Sequence, residues 1–567
     1  MAFIFLACCI LLGLAYRYYG RFLQKRLEVT SHLPTPAHVL HDNVDYVPTK
    51  PPILFGHHFS SIAGAGPIVG PIIAGLAFGW LPALLWIVIG SIFVGGVHDF
   101  SALIASLRHQ GRSVGQMCKD LLSPFAYYLF LAFIWLTMVY IQIVFLDLTA
   151  TTFAPSIPSA LEGSEQAVHM TRQGGAVATA SIMYILLALL YGGATIRFKV
   201  PEWIGTMVFV PLVFVGLWAG TQLPLVADRL PALFGSTKNT WSLILLIYCF
   251  VASILPVWLL LQPRDYLSSF LLYACLIGGG LGLLVSGLTD QVNLEYEAFV
   301  TWHDPQLQFL FPALFVTVAC GAVSGFHSLV SSGTTAKQLN KEGDALPVAY
   351  GGMLVEGVLA LIALSTVMIL GAKPSGSTPV AIFASGLGRF LSVFRLSPET
   401  ATTFGLLAVS TFLLTTLDTC TRLSRFVFEE LFNLRGPSAR IIGTLASLII
   451  PAVVVFRQVA GPGGIRMPAW QAIWPAFGVT NQLLAALAML VVFAWLKRER
   501  KKFLYILLPL IFMTVTTLSA ATLLVRDHLF RGGSPLVGGL SLVLSLLAVI
   551  LIGNTGWKLC RSGALTA

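Results

Sequence analysis

Three stretches of this chain set titratable and hydroxyl side chains at helical spacing within runs that are otherwise apolar. The first, GHHFSSIAGAGPIVGP from Gly56 to Pro71, carries His57, His58, Ser60 and Ser61 ahead of Gly64, Gly66 and Pro67. Pro67 and Pro71 each delete a backbone donor, and the glycines loosen the helix around them. A discontinuous helix of this kind offers backbone groups to a small polar ligand. Tight packing through small residues would explain the glycines, but it needs neither the histidine pair nor the serines. The second stretch, CGAVSGFHSLVSSGTT from Cys320 to Thr335, repeats Ser324, His327, Ser328 and Ser331 at offsets 0, 3, 4 and 7, which is one helix face. Hydroxyls with a histidine suit water, a cation or a proton relay, or plain interhelical hydrogen bonding. In the third, TFLLTTLDTCTRLSRF, the residues Thr411, Thr415, Asp418, Arg422 and Arg425 again share a face. Asp418 and Arg422 form an i,i+4 pair. Arg422 and Arg425 are expected to snorkel toward the aqueous end, which leaves Asp418 as the deeper group. His98, Asp99, Asp147 and Glu356 are further ionisable residues in apolar runs, and Asn481 and Gln482 sit together in WPAFGVTNQLLAALAM.

The elements that must position these groups follow from composition. The chain has 567 residues, 56% hydrophobic and 10% charged, where a soluble domain carries about 25% charged. So few charges cannot cover a soluble surface, so an all-α polytopic membrane protein is expected. A span needs about 20 apolar residues. Fifteen candidates meet that, near 2–20, 57–77, 80–107, 123–151, 175–193, 203–220, 241–261, 266–287, 309–332, 348–371, 403–431, 439–457, 472–496, 503–526 and 535–554. The segment 380–395 is too short and too basic, and is expected at the interface. With the N-terminus outside and the C-terminus inside, the inner loops hold 24 of the 34 basic residues, Arg264, Arg422 and Arg425 counted among them. Orientation thus explains the net charge of +10, and no basic stripe with interleaved aromatics implies nucleic acid. The eight cysteines show no C-x-x-C spacing and read as small hydrophobes. The N-terminal apolar run has no basic start and reads as a first span. No soluble domain and no Walker A sequence appears, which argues against ATP-driven pumping.

GHHFSSIAGAGPIVGP, WIVIGSIFVGGVHDF, LPVWLLLQPRDYLS, GAVSGFHSLVSSGTT, TLDTCTRLSRF and WPAFGVTNQLLAALAM together resemble, in order from about residue 50 to 496, the carbon starvation protein A (CstA) family. The resemblance implies a secondary active transporter of the bacterial inner membrane. It would import peptides in the response to carbon starvation, with pyruvate:proton symport as the alternative. The family's LeuT-like grouping implies two inverted five-helix repeats, about 57–220 and 241–431, whose first helices are broken, here at Gly64–Pro67 and at Pro256. They lie in a core of 51–435 between accessory segments 1–50 and 436–567. The implied substrate contacts are His57, His58, Ser60, Ser61, Gly64, Gly66, Pro67, Asn481 and Gln482. Ion coupling would use His327, Ser328, Ser331, Ser332, Asp418, Asp99 and Glu356. The expected partners are a small carboxylate substrate, the lipid bilayer and a small membrane protein. No cofactor beyond a coupling proton or sodium ion is expected. An intramembrane hydrolase is the rival enzyme class, but no G-x-S-x-G or H-E-x-x-H sequence supports it. A channel or a nutrient sensor is the other rival.

Overall fold

The computed structural model describes residues 1–30, 33–42, 46–155, 157, 163–225, 230–256, 259–374, 377–460 and 466–564. Val257 and Trp258 of the LPVWLLLQPRDYLS run, Ser156, residues 158–162 and the last three residues lie outside it. Helices dominate because lipid satisfies no backbone polar group, so each span must bond to itself. In chain order they are α1 (Ala2–Arg26), α2 (Pro51–Ile62), α3 (Gly66–Phe78), α4 (Trp80–Arg108), α5 (Pro124–Phe153), α6 (Glu165–Arg197), α7 (Glu202–Gln222), α8 (Thr237–Ile254) and α9 (Leu261–Leu288). Then come α10 (Leu310–Thr317), α11 (Gly325–Val330), α12 (Glu342–Met368), α13 (Pro398–Leu431), α14 (Pro437–Val455), α15 (Ala469–Arg498), α16 (Leu504–Phe530) and α17 (Pro535–Ala564). Serine caps open α5, α6, α8 and α13, and proline stands in the first turn of α2, α3, α5, α13 and α14.

Among the described residues, 13 helices are long and apolar enough to cross a membrane, or 14 when the bent pair α2 and α3 is one span. The ninth expected span, 309–332, is not one helix. It breaks between α10 and α11, so Ser324 stands at the N-cap position of α11 without a side-chain cap bond, while His327, Ser328 and Ser331 follow within it and in the π turn Ser331–Thr335. The segment expected at 380–395 forms the short helix Pro379–Leu391, which packs largely buried against α12 and α13.

Contacts gather the loops into two groups. Arg108 meets Glu342 at 2.6 Å, Lys501 meets Glu28 at 2.8 Å, and His38 meets Asn340, which joins four basic-side loops. At the other end Trp80 bonds to Tyr296, and the backbone of Glu295 bonds to Met368.

The packing groups the core in a different phase from 57–220 and 241–431. Pro256 does not break a span; it follows the end of α8. The break that meets the α2–α3 break is the one between α10 and α11. Two five-helix units emerge: α2/α3, α4, α5, α8 and α9, with the α6–α7 hairpin inserted, and α10/α11, α12, α13, α14 and α15. Their contacts correspond. The long helices α5 and α13 pack together most extensively, α8 and α14 each pack on both, and α9 against α2 mirrors α15 against α11. The short helices Val114–Leu121 and Pro379–Leu391 occupy matching places in the order.

Candidate functional site

The two breaks touch because the residues there are too small to keep them apart. A Cβ on Gly66 would collide with Cys320, one on Gly70 would stand 2.5 Å from the Thr317 carbonyl, and one on Gly321 would stand 3.4 Å from Pro71. The two breaks are satisfied differently. Asn481 Oδ1 accepts from the Phe326 backbone N–H at 3.0 Å, and its Nδ2 donates to Ser324 Oγ at 3.0 Å. Gln482 Nε2 donates to the Phe315 carbonyl at 2.6 Å. Adjacent amides on α15 thus hold both sides of the α10–α11 break, so these two expected substrate contacts are engaged with protein backbone. No side chain caps the N-terminus of α3 at Ala65, although the site is buried.

On one flank of the breaks lies a fully buried ionisable chain. His98 Nδ1 is 2.7 Å from Asp99 Oδ1, His327 Nδ1 is 2.9 Å from Asp99 Oδ2, and His327 Nε2 is 3.3 Å from Glu356 Oε2. Three elements supply it: α4, α11 and α12. Each carries a π turn close by, at Ser91–Gly95, Ser331–Thr335 and Leu346–Gly351, the kind of helix irregularity that collects at functional sites. His58 Nδ1 joins this flank through Thr335 Oγ1 at 2.8 Å. The expected serines are mostly occupied. Ser328 Oγ donates to the Gly325 carbonyl and Ser332 Oγ to the Ser328 carbonyl, whereas Ser331 Oγ is buried without a partner among the described residues.

On the other flank Asp418 pairs with Arg264 of α9, not with Arg422. Tyr248 Oη donates to Asp418 Oδ2 at 2.6 Å, Arg264 Nη2 lies 3.1 Å from Asp265 Oδ1, and Arg264 also reaches the Thr415 carbonyl at 3.3 Å. His57 Nδ1 stands 3.9 Å from Asp265 Oδ2. Nor do Arg422 and Arg425 snorkel. Both are buried, and they donate to the Ala252, Leu255 and Ser253 carbonyls at the end of α8. Cations there satisfy orphan carbonyls and suit the negative end of the helix dipole.

Consecutive residues on a helix point about 100° apart, and the histidine pair uses that. His57 faces the Arg264 flank and His58 the Asp99–His327–Glu356 flank, both from the helix that ends at the first break. Ser60 and Ser61 return their hydroxyls to the Gly56 and His57 carbonyls. Gly64 lies against Thr416. Asp147 sits apart, accepting from the Trp470 N–H at 2.9 Å and pairing with Lys238 at 2.5 Å, a structural anchor for the start of α15. Sequence reasoning assigned Arg264 to a loop and passed over Asp265 and Tyr248. The missed signal was an Arg-Asp pair directly after a buried proline in LLLQPRDY, inside an apolar run.

A family model described as "Carbon starvation protein CstA" matches residues 1–375 and 372–520. The chain is 33% identical over 606 residues to the peptide transporter CstA of Bacillus subtilis (strain 168), covering 97% of this chain and 95% of that protein. It is 30% identical over 591 residues to the pyruvate/proton symporter BtsT of Escherichia coli (strain K12), covering 89% and 78%. Among solved structures, a manganese transporter mutant from Eremococcus coleocola aligns over 90% of this chain and 94% of that one, with 15% identity and a TM-score of 0.44.

Proposed function

Because the chain belongs to the carbon starvation protein CstA family, we propose that it is a secondary active transporter that imports peptides, driven by protons. It is a multi-pass protein of the bacterial cell membrane. The observation that carries the reading is the meeting of two helix breaks between two buried ionisable chains. Ionisable groups at membrane depth are costly, at about 2.5–3.5 kcal/mol each on the lenient scale. A bundle that only had to hold itself together would not retain this many. The positive end of α3 gives the first break a potential that attracts an anionic substrate. Asp99, His327 and Glu356 offer a path for the coupling proton, since an imidazole set between two carboxylates can take a proton at one ring nitrogen and release one from the other. Inward passage follows if the chain is oriented N-out and C-in.

Uptake of a labelled dipeptide and of labelled pyruvate into proteoliposomes, under imposed proton or sodium gradients, tests substrate and ion together. Proton-driven accumulation of the dipeptide is expected. Pyruvate symport is the second reading, supported by the relative named as a pyruvate/proton symporter, and selective accumulation of pyruvate would install it. Flux that never exceeds equilibration would identify a channel. Absence of uptake under every gradient would refute the carrier reading for these substrates.

A further inference from the structure

Arg264 is fully buried near the start of α9, and its guanidinium contacts two carboxylates, Asp418 and Asp265. A guanidinium stays charged in any protein environment, so this trio carries more negative charge than one cation needs. Its hydrogen bonding is also incomplete. Among the described residues Arg264 Nε and Asp418 Oδ1 are both buried without partners. A purely structural ion pair at membrane depth is favourable only when every donor and lone pair is satisfied.

Position adds a second argument. The guanidinium reaches the Thr415 carbonyl, and the next residue, Thr416, has its hydroxyl 2.5 Å from where a Cβ on Gly64 would stand, at the first break. His57, whose side chain is 19% exposed, flanks Asp265 on the same side, and with the half-buried Tyr248 it gives the cluster its open edges. The matching element of the other unit, α15, places Asn481 and Gln482 beside the second break and spends both amides on its backbone. Arg264 and Asp265 stand beside the first break as a charged pair that, among the described residues, makes no bond to it.

We propose that Arg264 is the receptor for the carboxylate of the transported molecule, and that Asp418 occupies the guanidinium only until a substrate carboxylate replaces it. This rests on the carrier reading above. A planar fork of donors matches a carboxylate in two-point contact, and the peptide C-terminus and pyruvate both present one. Tyr248 Oη, which bonds both Asp418 and Arg264, stays as the hinge of the exchange. No bond is made or broken beyond the swap of one anion for another.

Binding to the purified full-length protein in detergent, measured by calorimetry with Ala-Ala and Ala-Ala amide and with pyruvate and pyruvamide, tests it. Wild type is expected to prefer the acid of its substrate over the amide by about tenfold or more. That ratio should fall toward one in Arg264→Gln, and fall partway in Arg264→Lys, which keeps charge but not the fork. Asp418→Asn should tighten acid binding several-fold and leave the amide unchanged, an effect that mere loss of packing would not produce. If Arg264→Gln does not fold, the charge-neutral double variant R264Q/D418N takes its place. An acid preference that survives in the Arg264 variants, or acid binding that is unaltered in Asp418→Asn, overturns the proposal. Wild type that binds neither acid and drives no uptake overturns the carrier reading as well. Wild type that transports while the ratio ignores Arg264 refutes this role alone.

Discussion

Among the described residues, Glu356 has one charge partner within contact distance. Its carboxylate is fully buried, and its charge partner is His327 Nε2, which Asp99 orients from the other ring nitrogen. A carboxylate placed there exchanges a proton at small structural cost, because its neutral form leaves no strong acceptor orphaned. Glu356→Gln keeps the shape and removes the titration. Proton-driven accumulation in proteoliposomes should therefore be lost while exchange of substrate across equal gradients persists. Loss of both would make Glu356 structural. Asp147 belongs to a different class. Asp147→Asn weakens the anchor of α15 and the pairing of Lys238, at a cost of about 1–3 kcal/mol. A lower thermal midpoint is expected, with uptake per folded molecule unchanged.

At the level of the elements, the first break was legible and the second was not. Gly64 and Pro67 announce a helix that cannot continue. The break between α10 and α11 runs through Val318 to Ser324 without a proline, and local propensity alone would let the helix pass through it. What opens it is remote: Asn481 and Gln482 supply the donors and acceptors that the freed backbone needs, and Gly66 and Gly70 leave room for the bend. Pro256, the visible breaker, merely terminates α8. Asn481→Ala removes the cap of α11 and should cost about 1–2 kcal/mol, read as a drop in thermal midpoint together with reduced uptake. Asn481→Ser, a smaller neutral residue that keeps a hydroxyl acceptor near the Phe326 N–H, should recover part of the stability. Equal losses in both variants would argue that the cap is unimportant.

For the whole molecule, several side-chain ties join the loops at the basic end. Arg108 pairs with Glu342, whose carboxylate also accepts from the Thr30 N–H, and Lys501 pairs with Glu28. Deep within, Cys320 is a free thiol at the contact between the two breaks, so its reactivity reports whether they have parted. N-ethylmaleimide should modify Cys320 slowly in wild type and faster in Glu342→Gln, as followed by mass spectrometry of the peptide that contains it. Unchanged labelling would mean that this tie does not hold the closed state.

Sequence by itself determined the membrane class and nearly all the spans, because hydropathy is a local property of the chain. It also marked His57, His58, Asp99, His327, Glu356 and Asp418, since an ionisable residue inside an apolar run is conspicuous wherever it lies. Only the tertiary structure decided which of them meet. The partner of Asp418 is 154 positions away in Arg264, not four away in Arg422. The two arginines thought to snorkel instead cap α8, and the second helix break exists because another helix satisfies it. Pairing at membrane depth is set by which buried groups can neutralise or hydrogen-bond one another across the packed bundle, and no local spacing encodes that choice.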